Sequence, residues 1–366
     1  MNAEHDRDDS GDAMDMRVKP AGRNAAARPE VKTVNLALQG GGAHGAFAWG
    51  VLDRLIEDGR IRFEGISATS AGAMNAAVLA HGWTVGGPEG AREALEQFWK
   101  AVSDAGQRWS PYRALPWMQW LDGFSLEHSP AYFWMELLTR VFSPYQLNPM
   151  NFNPLRDVLE AHVDFERLRA QSAIKLFLCA TNVQTCKVRI FSCADVSADA
   201  VLASACLPFM FQSVMIDGEP YWDGGYMGNP AIYPLIYDCA SRDVLIVHLN
   251  PIVRRGVPTT AGEILNRLNE VSFNSSLMRE MRAIVFVSGL IERGKLDAAE
   301  FKQMLIHSIR ADDVMSSYDV SSKLNCDWGF LMQLRDAGRA HAGRWLQQHF
   351  DALGQRSSVD LRAEFL

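Results

Sequence analysis

Three short stretches bring together residue types that could carry acyl-transfer chemistry. In "ISATSAGAMNA" (66–76), Ser70 sits in the frame Ala68-Thr69-Ser70-Ala71-Gly72, after an apolar run and before a series of small residues. A serine raised on a sharp strand-to-helix turn can serve as a nucleophile. The usual frame is G-x-S-x-G, and here alanine replaces the first glycine. Alone, Thr69 or Ser70 reads equally well as a helix cap. In "LALQGGGAHGAFAWG" (36–50), consecutive glycines open a helix. Their N–H groups can converge on an anion, either a phosphate or the oxyanion of a tetrahedral intermediate. In "YWDGGYMGNP" (221–230), Asp223 precedes Gly224 and Gly225. By itself this is a D-G hairpin turn; beside a serine, the carboxylate becomes a candidate base.

These residue types also fit two other uses. Gly40, Gly42 and Gly45 satisfy G-x-G-x-x-G, but a dinucleotide site also needs an acid at the end of the next strand. That strand ends in Ala68-Thr69-Ser70, and Glu64 lies at its beginning, the wrong end. A triad through His248 would have the order Ser…Asp…His. Yet "VLIVHLNP" reads as a buried strand, where a core histidine is the ordinary finding.

The elements that must hold these residues follow from pattern. "TVNLALQ" and "IRFEGISA" read as buried strands, each followed by a turn and a helix. In the first helix Phe47, Val51, Leu52, Leu55 and Ile56 fall at helical spacing, and Gly59 is a plausible stop. This is the rhythm of a parallel α/β sheet, and it sets both turns at the C-terminal ends of adjacent strands. "AIKLFLCATNV" and "KVRIFS" read as a strand pair, "DVLIVHL" as another buried strand, and the chain from Glu263 as mostly helical. The expected architecture is α/β, a three-layer α/β/α sandwich with a mainly parallel central sheet. Its parts are a disordered polar tail (1–30), one domain (31–352) with a helical C-terminal part (263–352), and a C-terminal tail (353–366).

Between Trp109 and Phe152 the sequence concentrates four of its ten tryptophans, broken by five prolines. This insertion (109–153) reads as a helical subdomain, and its rings also suit an acyl-binding wall or a membrane interface. Composition adds exclusions. The net charge of −7 does not favour nucleic acid, and the most apolar stretch, "AIVFVSGLI" from Ala283, is too short to cross a bilayer. The first 30 residues lack the apolar centre of a secretory signal, and the six cysteines include no C-x-x-C pair. A cytoplasmic protein with reduced thiols and no zinc is expected.

Taken together and in order, these blocks resemble the patatin-like phospholipase family. Its pattern is a G-G-G-x-R/K-G loop, G-x-S-x-G, a block close to A-S-x-A-x-P, and D-G-G or D-G-A. Here they appear as Gly40-Gly41-Gly42-Ala43-His44-Gly45, Ala68 to Gly72, "ASACLPFMF" (203–211) and Asp223-Gly224-Gly225. The resemblance covers about Val34 to Asn250. It implies a serine acyl hydrolase acting on lipid esters, with Ser70 as nucleophile and Asp223 as its partner in a Ser-Asp dyad. It also implies an oxyanion hole from Gly40, Gly41, Gly42 and Ala71, with His44, Gly45, Gly72, Gly224 and Gly225 in support. No calcium, other metal or organic cofactor is implied, and the expected partner is a lipid, with peripheral membrane contact through the aromatic insertion. His44 stands where the family has Arg or Lys, so a fixed charge is lost or made pH-dependent. A catalytically weak lipid-binding protein is the runner-up reading, and a phosphate- or nucleotide-binding module a more distant one.

Overall fold

Strand β1 (Lys32–Leu38) divides its side chains between two cores, as the period of two requires. Val34, Leu36 and Leu38 join one apolar cluster, and Ala37 joins the other. The same split recurs in β7 (Asp243–Val247), with Leu245 and Val247 on one side and Val244 and Ile246 on the other. A sheet buried on both faces is the middle of three layers, as the sequence predicts. The computed structural model describes residues 30–109, 126, 130–297 and 299–366. The expected disordered tail, and with it Tyr112, Trp117, Trp120 and Phe124 of the insertion, lies outside the described residues.

The sheet runs β5-β6-β3-β2-β1-β7-β8, with β4 also paired to β3. Besides β1 and β7 these are β2 (Ile61–Ala68), β3 (Lys175–Asn182), β4 (Val188–Ser192), β5 (Val214–Ile216), β6 (Glu219–Asp223) and β8 (Leu305–Ile309). β1, β2, β3, β7 and β8 are mutually parallel; β4, β5 and β6 are antiparallel to their neighbours. Helix α1 (Gly45–Asp58) follows β1, and α2 (Ala71–Trp109) follows β2. α2 bends sharply at Gly86-Gly87, and its two arms fold back on each other. One core holds α1, α2 and the closing helix Trp328–His349; the other holds the long helix Ala261–Glu292.

Two features differ from the sequence reading. The region beyond Glu263 contains β8, parallel to β7, which its polar His307 and Ser308 disguise; His307 is buried and hydrogen-bonded to Asp243 at 2.9 Å. Residues 353–366, read as a tail, pack on the domain instead. Leu353 and Phe365 are buried, and Phe365 lies on the short helix Leu361–Phe365.

Candidate active site

Register along β3 brings Ser70 and Asp223 together. On one side of β3, Leu178 pairs with Ala68, the last residue of β2. Two residues further, Ala180 pairs with Asp223, the last residue of β6. On the other side the same residues pair with β4, through Phe191 and Arg189. β2 and β6 therefore lie on one side of β3 and run toward each other, ending about 6.6 Å apart at ~3.3 Å per residue. The Asp-Gly hairpin turn is at Asp217-Gly218, between β5 and β6, and Asp223-Gly224 leads into a separate 3-10 turn.

Ser70 has φ +56°, the left-handed region, which a non-glycine residue enters only when its surroundings enforce it. Three hydrogen bonds do so here. Ser70 N–H donates to Ser204 Oγ at 2.8 Å, Thr69 N–H to the Leu38 carbonyl at 3.2 Å, and Thr69 Oγ1 to the Gly228 carbonyl at 2.6 Å. Ala68 is not among the positive-φ residues, so alanine is tolerated in place of the first glycine. Ser70 is 8% exposed and Asp223 is fully buried, so the serine borders the crevice and the carboxylate lies behind it.

Asp223 is held on three sides. Its N–H donates to the Cys206 carbonyl at 2.8 Å, its carbonyl accepts from Thr181 Oγ1 at 2.8 Å, and Oδ1 accepts from Gly225 N–H at 2.7 Å. Oδ2 is buried with no hydrogen-bond partner. Burial pushes this carboxyl up to about 7, opposed by the Gly225 amide, the nearby Ser70 hydroxyl and the Lys323 charge. A carboxylate titrating there is suited to accept a proton at neutral pH.

The glycine loop lies beside the serine. A Cβ on Gly40 would come 2.6 Å from that of Ser70, so only glycine lets the two turns approach this closely. Gly42, at φ +58°, would place a Cβ 2.3 Å from the Lys323 carbonyl oxygen. The amides of Gly41, Gly42 and Ala71 make no hydrogen bond among the described residues and stay available to an oxyanion. Gly40 departs from the expected oxyanion set, because its N–H already donates to Asn229 Oδ1 at 2.7 Å. Its carbonyl accepts from Asn250 Nδ2 at 2.9 Å. Gly45 and Gly72 allow α1 and α2 to start close together and against β1, while Gly224 and Gly225 let the Asp223 turn press on β3 and Phe273.

His44 is buried. Ser322 Oγ gives its one proton to the Asp319 carbonyl, so His44 Nε2 must be the donor in the 2.8 Å contact with Ser322 Oγ. Burial, then the Lys323 charge, lowers its pKa to about 3, so His44 is neutral at working pH. His248 gives no triad; neither ring nitrogen has a hydrogen-bond partner, and its ring stacks on Phe365.

Two residues escaped sequence reasoning. Ser204 supports the Ser70 turn, and its signal was the "ASACLPFMF" block, which also supplies the Cys206 carbonyl. Lys323 had no local signal. The residue is half-buried, and its ammonium donates to Asn250 Oδ1 at 2.9 Å and Asn269 Oδ1 at 2.8 Å, with no carboxylate pairing among the described residues. Burial first, then the Arg254 charge, lowers it to about 8 against the pull of Glu270 and Asp223.

A parallel α/β sandwich with a serine on a strained turn and a buried carboxylate behind it has the architecture of an acyl hydrolase. The chain belongs to the patatin-like phospholipase family, whose sequence model matches residues 36–236, more than half of its length. That membership supports lipid hydrolysis as its general activity. Among solved structures the chain is similar to VipD from Legionella pneumophila, at 16% identity and a TM-score of 0.34, over 83% of this chain and 67% of that one. It is also similar to ExoU of the Pseudomonas aeruginosa type III secretion system, solved in complex with SpcU. There the identity is 16% and the TM-score 0.31, over 87% of this chain and 53% of that one. The chain thus spans about half of the ExoU structure. No curated protein sequence matches it.

Proposed function

We propose that the protein is a serine lipid acyl hydrolase of the phospholipase A, lysophospholipase or esterase type, working through a Ser70-Asp223 dyad. Asp223 Oδ2 takes the proton from Ser70 Oγ as that oxygen attacks the ester carbonyl carbon. The N–H groups of Gly41, Gly42 and Ala71 receive the oxyanion, each worth about 10²- to 10³-fold. Collapse breaks the ester bond, Asp223 returns its proton to the leaving alcohol, and the acyl group stays on Ser70. Asp223 then takes a proton from water as its oxygen attacks the acyl-enzyme, and on collapse returns that proton to Ser70 Oγ as the fatty acid leaves. No metal takes part in this scheme.

The observation that carries the reading is the strained Ser70 turn beside a buried carboxylate whose Oδ2 has no partner. A groove of about 640 Å³ supports a lipid substrate; it is lined by Phe142, Thr181, Asn182, Phe209, Trp222 and Tyr226, the last two on either side of Asp223 in sequence. It suits an acyl chain in size and lining. Trp134, Phe142, Tyr145 and Phe152 of the insertion are exposed, which supports peripheral membrane contact there. Among the described residues no helix is long and apolar enough to cross a membrane. A cytoplasmic location with membrane visits is the corresponding proposal.

Fatty-acid release from phospholipid, lysophospholipid and neutral-lipid micelles tests the reading. Wild type should release fatty acid from at least one class, in EDTA as well as in calcium, and Ser70→Ala and Asp223→Asn from none. Binding to every lipid class without release would favour the lipid-binding alternative.

A further inference from the structure

We propose that the outward face of the long helix Ala261–Glu292 docks on an anionic lipid bilayer. The inner face of this helix belongs to the site's support: Asn274 Oδ1 accepts from Gln39 Nε2 at 3.1 Å, and the Phe273 carbonyl accepts from Asn229 Nδ2 at 3.1 Å. Its outer face would ordinarily be polar. Instead Ile264, Leu268, Val271 and Phe286 are exposed along one stripe, 43%, 59%, 51% and 64% respectively. The stripe is about 33 Å long at 1.5 Å per residue. The preceding loop adds Val253 and Val257, the latter 85% exposed.

Charge identifies the occupant. The two carboxylates within the stripe's span point inward: Glu270 is buried against Arg254 and Arg267, and Glu280 accepts the amides of Ile232 and Tyr233. The charged residues facing outward there are Arg279 and Arg282, joined by Arg255 in the loop. All three are exposed, and none has a hydrogen-bond or ion-pair partner among the described residues. A chain of net charge −7 has therefore gathered unpaired cations on one apolar face. A second copy docked through the same face would set cation against cation. Anionic headgroups satisfy the arginines while the apolar side chains enter the interface. The proposal rests on the lipid hydrolase reading and deepens it. The helix flanks the crevice on the β1 and β7 side, and the aromatic insertion flanks it on the β3 and β6 side.

Flotation of full-length Ser70→Ala protein tests this, since vesicles are then not consumed. Vesicles of phosphatidylcholine alone are compared with phosphatidylcholine mixed with phosphatidylglycerol. Binding should require phosphatidylglycerol and weaken with salt. Arg279→Gln/Arg282→Gln should bind about 25-fold more weakly, and Leu268→Ser/Phe286→Ser should lose binding at all salt concentrations. Both pairs, made in the active background with unchanged circular dichroism melts, should cleave a monomeric short-chain ester at the wild-type rate. Equal binding by wild type and both variants, equal binding to neutral vesicles, or a protein dimer abolished by Leu268→Ser/Phe286→Ser without vesicle binding would overturn the proposal. Expected flotation from a protein that cleaves no ester would sink the hydrolase reading and leave the docking face standing.

Discussion

In the proposed dyad Asp223 acts only when ionised, and burial pushes its pKa up to about 7, so kcat/KM should rise with pH through about 7. Lys323 titrates at about 8, so it is a cation through this rise, and its charge favours the Asp223 carboxylate. Lys323→Met should move this limb to higher pH, because the cation no longer holds the Asp223 carboxyl down. A pH–rate profile unchanged in Lys323→Met would show that the ammonium does not act on the site. The same carboxylate has a stability consequence. Its folded pKa lies above the unfolded value near 3.8, so folding loses stability as pH rises from about 4 to about 7. Asp223→Asn should therefore be inactive yet more stable than wild type by about 0.5–2 kcal/mol. The gain should be visible by chemical denaturation at pH 8 and absent at pH 4. His44, titrating at about 3, is neutral throughout and does not contribute to this rise.

The turn carrying Ser70 depends on a helix far from it in sequence. Ser204 closes the helix Ala198–Ser204 and accepts the Ser70 N–H, so Ser204→Ala should leave a buried amide unpaired. The cost should be about 1–3 kcal/mol of stability, and a misplaced nucleophile should lower kcat by up to about 100-fold. A kcat equal to wild type would show that the turn holds its shape without that bond. Much of this geometry was legible beforehand. Apolar strands ending in glycine- or alanine-rich turns place Ser70 and the glycine loop on adjacent parallel strands, because one strand-turn-helix unit follows another. Asp223 was legible only through its company, since nothing local shows that β6 takes up the side of β3 where β2 ends. Lys323 was not legible at all, because the 3-10 turn Ser321–Leu324 reaches Gly42 from the far end of the chain. The Gly40 amide also misled, since its capture by Asn229 is a contact across 189 positions.

At the level of the molecule, the last residues are part of the domain. Phe365 is 3% exposed, stacked on His248 and packed in the core beneath the long helix. Phe365→Ala should cost about 3–5 kcal/mol, seen as a lower urea midpoint, and removal of residues 353–366 should cost at least as much. An unchanged midpoint in the truncated chain would return that segment to the status of a tail. β8 went unread for a related reason: a strand of five residues with two polar members lies between helices, and only its parallel partner β7 reveals it. Both the sheet edge and the chain end thus take their structure from distant partners.

In the proposed dyad Ser70 is the nucleophile. Incubation with a fluorophosphonate, followed by intact mass and peptide mapping, tests it directly. One adduct is expected, on the peptide containing Ser70, formed faster as pH rises through about 7 and absent in Ser70→Ala. A folded wild-type protein that forms no adduct, or forms it equally in Ser70→Ala, would contradict it.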